Sequence, residues 1–271
     1  MNKHKKTDAI VTYALLLFGL LMLVPIYLLI ISSLRNESNI FASSFITVDP
    51  TLDSLRASLT PQLFRSLGNS LFVALTVTVV AMVLHAMCGY GLARMDFVGK
   101  NVIFNLIIST LMIPVSSILV PLFMVCKLLG ITNSFAGMIL PSLFNAYGIF
   151  LFRQYYLSFP KELEEAAELE GCSRYRIFFT IVFPLSKPII VPLCIAFFLG
   201  NWNNYLWPLV VNKKEEYQTV MVYLANMVGG YNTKWNIVMA TSLIACLPVF
   251  LVFAVLQKQL QDSIKISGIK S

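Results

Sequence analysis

Residues 161–188 read KELEEAAELEGCSRYRIFFTIVFPLSKP, the only long polar, helix-forming stretch in a chain made largely of apolar runs. Its first part places Glu162, Glu164, Glu165, Glu168 and Glu170 on one short helix. Glu164 and Glu168 stand four residues apart, and Glu162, Glu165 and Glu168 three apart. Like charges therefore face each other along the helix, at roughly a few tenths of a kcal/mol each. Pro160 suits a first helical position, and early glutamates suit the positive end of a helix. Those gains are local, and they leave an acidic face that awaits a cationic partner or, failing one, a solvated linker helix. Gly171 supplies a residue able to take positive φ, ending one helix and turning the chain toward the next. Ala166 and Ala167 are small enough to let another backbone or a bulky side chain approach.

Around this stretch the composition is that of a membrane protein. Of 271 residues, 58% are apolar and 12% charged, and the mean hydropathy of +0.77 excludes an ordinary soluble domain. A basic start (Lys3, Lys5, Lys6) leads into an apolar run from about Ala9 to Ile31. That run is long enough to cross a bilayer. It exceeds a signal-peptide core and lacks a small-residue cleavage site, so it is expected to remain as a first span. Residues 36–68 are mixed and polar, an outer segment. Further spans are expected at about Asn69–Ala93, Asn101–Cys126, Ser134–Phe152, Phe183–Asn201 and Asn236–Leu256. The short polar loops are Arg94–Lys100 and Lys127–Asn133, with a longer loop at Trp202–Trp235 and a polar tail at Gln257–Ser271.

With the N-terminus inside, 13 Lys and Arg fall on inner segments and 7 on outer ones, out of 20 in the chain. The excess places both termini and the acidic helix in the cytosol. The formal charge of +7 thereby follows from topology and points away from nucleic acid.

Little here supports catalysis. The two histidines are His4, in the basic start, and His85, late in the second span; His85 reads as a hydrogen-bonded packing residue. No HExxH, GxSxG or intramembrane acidic pair occurs, which argues against a membrane enzyme. No phosphate-binding GxxxxGK[ST] occurs either, so any ATP hydrolysis belongs to another subunit. Cys88, Cys126, Cys172, Cys194 and Cys246 lack zinc or CxxC spacing and read as small packing residues. No catalytic residue, metal site or cofactor is expected in this chain. Prolines recur through the spans (Pro25, Pro114, Pro121, Pro141, Pro188, Pro192, Pro248), as in pathways built from broken helices.

After the fifth span comes Asn201-Trp202-Asn203-Asn204-Tyr205-Leu206-Trp207-Pro208. Aromatic rings stack on the C–H faces of sugars, and Asn amides donate to and accept from hydroxyls. The same composition suits an interfacial aromatic belt. Residue chemistry alone leaves both open, with Trp202, Asn203, Asn204 and Tyr205 as the candidate pathway residues.

Glu165-Ala166-Ala167, three residues, Gly171, nine residues, then Ile181-x-Phe183-Pro184 resembles the EAA loop of bacterial ABC importer permeases; Phe183 stands where that family ends Ile-x-Leu-Pro. The stretch 201–208 resembles Trp-Asn-x-Phe-Leu-Trp-Pro-Leu of the maltose-type carbohydrate branch, with Tyr205 for Phe. Gly229-Gly230-Tyr231 with Trp235-Asn236, and the ending Ser267-Gly268-Ile269-Lys270, are similar to the same branch. The resemblance implies an all-α membrane protein of about six transmembrane helices, the type I importer permease fold. It divides into residues 1–66 (first span and outer segment), 67–260 (permease domain with the loop at 161–188) and 261–271 (cytosolic tail).

It further implies that Glu164, Glu165, Ala166, Ala167, Gly171, Ile181 and Pro184 couple to an ATPase, with Gly268 and Lys270 near it. The implied partners are a second related permease, two copies of an ATPase subunit that bind ATP and Mg, an extracytoplasmic sugar-binding protein and membrane lipid. The implied function is sugar or oligosaccharide uptake by alternating access across the bacterial cytoplasmic membrane. A permease for a glycerol phosphate or other polyol-like solute, and a non-conducting membrane scaffold, are the alternatives.

Overall fold

The computed structural model describes residues 2–35, 50–229 and 233–268, and among them helices are the only regular secondary structure. In chain order the α-helices are α1 (Asn2–Ser33), α2 (Asp53–Ser58), α3 (Pro61–Arg94), α4 (Lys100–Ser109), α5 (Val115–Leu128), α6 (Phe135–Ser142) and α7 (Ala146–Leu157). Then come α8 (Glu162–Leu169), α9 (Arg174–Ile177), α10 (Phe183–Leu185), α11 (Lys187–Trp202), α12 (Leu206–Val211), α13 (Val220–Met227) and α14 (Trp235–Gly268). Three stretches are single helices long and apolar enough to cross a membrane: Ile10–Ser33, Pro61–Arg94 and Trp235–Gln261. Three bent pairs qualify as broken spans, namely α4 to Met112 with α5, α6 with α7, and Arg174–Leu185 with α11. Counting each pair once gives the expected six.

The helices gather into two compact units, one of residues 1–64 and 223–247, the other of 65–222 and 248–271. In the first, α1 has apolar side chains open along its length, Ile10 to Ile30 included. Its C-terminal end is tied down by polar contacts. Thr51 N–H donates to the Leu34 carbonyl at 2.7 Å, and Ser54 Oγ donates to the Arg35 carbonyl at 2.7 Å. Asn236 Nδ2 in turn donates to Ser54 Oγ at 2.9 Å. Carbonyls left over where an apolar helix stops thus find side-chain and backbone donors.

In the second unit the core is Val73, Val77, Ala81, Met82 and Tyr90 of α3 packed with Phe152 and Tyr156 of α7, Phe178, Val182, Phe197 and Trp207. Close approach of α3 and α7 requires Gly89. A Cβ there would lie 2.6 Å from Phe152 Cβ and 2.8 Å from Arg153 N, inside contact distance. Trp207, buried, donates Nε1–H to the Gly137 carbonyl at 3.0 Å.

The breaks have local causes. At the first, Ile113 is extended (φ −90°, ψ 116°) ahead of Pro114, as the pyrrolidine ring demands of the preceding residue. The two arms diverge by 109°, so the single span expected at Asn101–Cys126 is two helices. At the second, Ser142–Asn145, the angle is 41°. Asn145 caps α7 by accepting Gly148 N–H at 3.2 Å, and His85 Nε2 lies 2.9 Å from the Leu143 carbonyl and 3.1 Å from Asn145 N. His85 is therefore a fully buried packing residue that holds a helix break.

At the third, an angle of 76° separates Arg174–Leu185 from α11. A π-helical turn, Phe178–Val182, precedes it, and Ser186 Oγ donates to the Val182 carbonyl at 2.6 Å. By contrast Pro25, Pro121, Pro192 and Pro248 sit inside continuous helices.

Three further boundaries differ from those expected. The second spanning helix starts at Pro61, eight residues before Asn69. The stretch Trp202–Trp235 holds α12 and α13, because LWPLVV and VMVYLANM are apolar runs with room for one or two turns. Residues 257–268, read as a tail, continue α14.

Gly89→Val should force α3 from α7 and destabilise the chain by roughly 1–3 kcal/mol, read as a lowered unfolding temperature in detergent. Gly68→Ala, whose Cβ meets nothing within 4 Å, should leave that temperature unchanged or higher.

Candidate functional site

The acidic helix α8 forms as its sequence dictates, but its entry differs. Pro160 lies two residues before the first helical residue, with Lys161 at the N-cap. Glu162, Glu164 and Glu165 occupy the first turn, where the helix dipole favours them. At the far end Gly171 has φ +78° and its N–H donates to the Glu168 carbonyl at 2.9 Å. This is the left-handed turn expected of glycine, and it aims the chain into α9.

Adjacent glutamates face different ways. Glu164 is 13% exposed, with Oε1 3.0 Å from Nε of Arg94, itself 9% exposed. The approach is an ion pair in distance, not an aligned hydrogen bond. Oε2 accepts Tyr90 O–H at 2.7 Å. Arg94 also donates Nη2–H to the Phe159 carbonyl, at the entry to α8. Ala167, one turn on, is half-buried against the core. On the other side Glu165, Ala166, Glu168 and Glu170 are exposed, and Leu169 is 91% exposed. Glu168 approaches Arg174 at 3.9 Å with both side chains more than half exposed.

Removing one member of a buried pair costs about 3–5 kcal/mol, while an exposed pair is worth about 0.2–1 kcal/mol. Glu164 is therefore the fixed point of the helix. Downstream, Ile181 is half-buried within the π-helical turn and Pro184 is exposed in α10, just before the bend.

A cavity of about 490 Å³ opens within the second unit between α5, the break joining α6 and α7, α11 and α12. Its walls are apolar and aromatic (Leu119, Leu122, Phe144, Phe197, Trp207), with polar groups from Ser142, Asn145, Tyr147, Asn201 and Asn204. Asn145 and Asn204 each spend Oδ1 on a backbone N–H, and Asn201 donates Nδ2 to the Phe197 carbonyl. Those bonds occupy one half of each amide, which leaves two donor groups and one acceptor group for a hydroxyl-bearing solute.

Of the four residues singled out in the aromatic stretch, Asn204 lines this cavity. Trp202 is 2% exposed and stacks on Phe198 with centroids 5.7 Å apart, and Asn203 and Tyr205 are exposed outside it. Asn201, from the same stretch, and Asn145, Ser142 and Tyr147 complete the polar lining, and Trp207 adds an aromatic wall. Sequence reasoning passed over Asn145; the signal for it was Pro141 followed by a polar residue in the middle of an apolar span. Gly268 ends the described part of α14, and Lys270 lies outside the described residues, as do Gly230 and Tyr231. Among the described residues no group of His, Cys, Asp and Glu could hold a metal ion.

Known proteins resemble this chain in sequence and in fold. Over its full length the chain is 33% identical to the arabinooligosaccharides transport system permease protein AraQ of Bacillus subtilis (strain 168), also covered in full. It is 31% identical to the lactose transport system permease protein LacG of Rhizobium radiobacter, over 94% of both chains. It is 29% identical to the sn-glycerol-3-phosphate transport system permease protein UgpE of Brucella abortus (strain 2308), over 95% of this chain and 96% of that one. In fold it matches a chain from the crystal structure of a bacterial ABC transporter involved in the import of the acidic polysaccharide alginate. The TM-score is 0.84 at 23% identity, covering 95% of this chain and 98% of that chain. A family model described as binding-protein-dependent transport system inner membrane component matches residues 85–266. With three continuous and three bent candidate spans, a family match over residues 85–266 and full-length permease relatives, the chain belongs to that family of inner membrane transport components.

Proposed function

We propose that this chain is one of two permease subunits of an ATP-driven ABC importer that moves a sugar or oligosaccharide across the bacterial cytoplasmic membrane by alternating access. The observation that carries this reading is α8. A helix with Glu165, Glu168, Glu170 and Leu169 exposed, anchored from behind through Glu164, is shaped to be gripped by a second protein. The partners are a related permease, two copies of an ATPase subunit holding ATP and Mg, and an extracytoplasmic sugar-binding protein. Both termini and α8 lie in the cytosol on this reading, in line with the Lys and Arg count. Coupling runs through Glu165, Ala166, Ala167, Gly171, Ile181 and Pro184, with Gly268 and Lys270 near the ATPase. A few kcal/mol of differential grip on α8 between ATPase states suffices to shift the populations of inward- and outward-facing forms.

The relatives are named for arabinooligosaccharides, lactose and sn-glycerol 3-phosphate. The cavity lining supports one of these chemistries over the others. Among the described residues no Lys or Arg lines it, so a phosphate would enter unpaired, whereas amides beside aromatic rings suit uncharged hydroxyls. An uncharged saccharide is the favoured cargo.

Three outcomes test this reading. Cysteine placed at exposed Glu170 should react with an impermeant maleimide only in permeabilised cells, and cysteine at Lys213 in intact cells; reversed labelling would overturn the topology.

In proteoliposomes holding the complete complex, ATP should drive uptake of an arabinooligosaccharide or lactose ahead of sn-glycerol 3-phosphate. Asn201→Ala should lower that uptake roughly 10-fold, as loss of a polar contact to substrate does, with normal complex assembly. Uptake of the phosphate ester alone would select the polyol reading, and no uptake of any solute the scaffold.

Glu165→Lys should release the ATPase on affinity purification and be partly rescued by an acidic substitution on that partner. Gly171→Asp, strained by roughly 1 kcal/mol at positive φ, should retain docking and transport poorly, with no charge change restoring it. Wild-type transport by both variants would make α8 a solvated linker.

A further inference from the structure

Glu164 and Glu165 are neighbours in a helix, about 100° apart around its axis, and they meet opposite environments. Glu165 is exposed, while Glu164 is sunk between Arg94 and Tyr90 at the end of α3. Arg94 holds α8 at a second point through the Phe159 carbonyl, so both the entry to the helix and its first turn are pinned to α3. Tyr90 passes the connection on. Its ring packs edge-on against Tyr156 of α7 at 5.7 Å and at a tilt against Phe178 of the π-helical turn at 5.2 Å. Tyr156 Oη lies 3.3 Å from Ser186 Oγ, at the bend into α11.

Building on the importer reading, we propose that Glu164 is a positioning residue and not a docking contact. With Arg94 and Tyr90 it clamps the acidic helix to α3, so that displacement of the docked helix is carried into α3 and, through the aromatic layer, to the Ser186 bend. A role for Glu164 in gripping the ATPase would require it to leave a buried guanidinium without its counter-charge and a buried phenol without its acceptor, which is costly. Its outward neighbours Glu165, Glu168 and Glu170 are available without that cost. The clamp also accounts for Arg94, a cation at the end of a long apolar helix that no step of transport otherwise uses.

The test compares variants in the complete complex, reconstituted with wild-type partners and assayed with the saccharide that the unaltered complex imports. Glu164→Gln should keep the ATPase on affinity purification and keep ATP hydrolysis running. Uptake should fall about 10-fold, within the range of a broken coupling between sites. The reversed pair Arg94→Glu with Glu164→Arg should recover a large part of uptake, which a merely space-filling role would not allow. Glu165→Lys should show the opposite pattern, with the ATPase lost.

Should Glu164→Gln not reach the membrane, Tyr90→Phe decides, since it removes one hydroxyl and no charge. Reduced uptake with intact docking supports the clamp, and wild-type uptake overturns it. The proposal also falls if Glu164→Gln strips the ATPase as Glu165→Lys does, or transports at the wild-type rate. Absence of ATP-driven uptake and of ATPase from the unaltered complex would instead sink the importer reading, and the clamp with it.

Discussion

Backbone N–H and C=O groups in hydrocarbon have no water to turn to, and each one left without a partner costs several kcal/mol. The apolar runs of this chain therefore have to be helices, and every interruption needs its own donors and acceptors. The interruptions are where the polar side chains are spent. His85 and Asn145 serve the break between α6 and α7, and Ser186 serves the bend before α11. Ser134, whose Oγ accepts Gly137 N–H, opens α6. A cavity follows directly, because helices that stop short of one another leave room between them. The break at Ser142–Asn145 forms one wall of that space, and Asn201 and Asn204, at and just beyond the end of α11, form another.

The fold class was legible because it rests on properties that survive without tertiary context, namely apolar run length, charge distribution and the polar interval at 161–188. Gly171 was legible for the same reason, since a glycine after an acidic helix needs only local geometry to take φ +78°. What the sequence could not convey was which side of α8 turns inward. Glu164 and Glu165 have the same chemistry, and only the arrival of Arg94 and Tyr90, 70 and 74 residues before Glu164 in the chain, separates a buried carboxylate from an exposed one. Proline was an ambiguous sign for a similar reason. Pro114 coincides with a 109° break, whereas Pro121, seven residues on, lies within α5. Trp202 and Trp207 share one aromatic stretch and are both buried, yet only Trp207 lines the cavity, while Trp202 stacks on Phe198.

The acidic helix joins two requirements that oppose one another. Glutamates on one short helix repel, and a solvated helix of eight residues is too short to persist alone. Burying one of them against a guanidinium removes part of the repulsion and anchors the helix, while the rest stay available to a cationic surface. The result is a short helix with one carboxylate buried and the others exposed.

α3 gives that helix a long reach. Near its start Asn69 donates Nδ2–H to the Glu216 and Gln218 carbonyls, each at 2.9 Å, and Ser70 Oγ accepts Val220 N–H at 2.8 Å. Near its end Tyr90 and Arg94 hold the acidic helix. Asn69 and Arg94 stand 25 positions apart in uninterrupted helix, about 37 Å at 1.5 Å per residue. A rod of that kind has few soft internal modes, so it behaves as a mechanical strut. Glu216–Val220 and Glu164 are thereby fastened near opposite ends of one helix, and a ligand whose binding shifted one end would be coupled to the other by the same free energy in either direction.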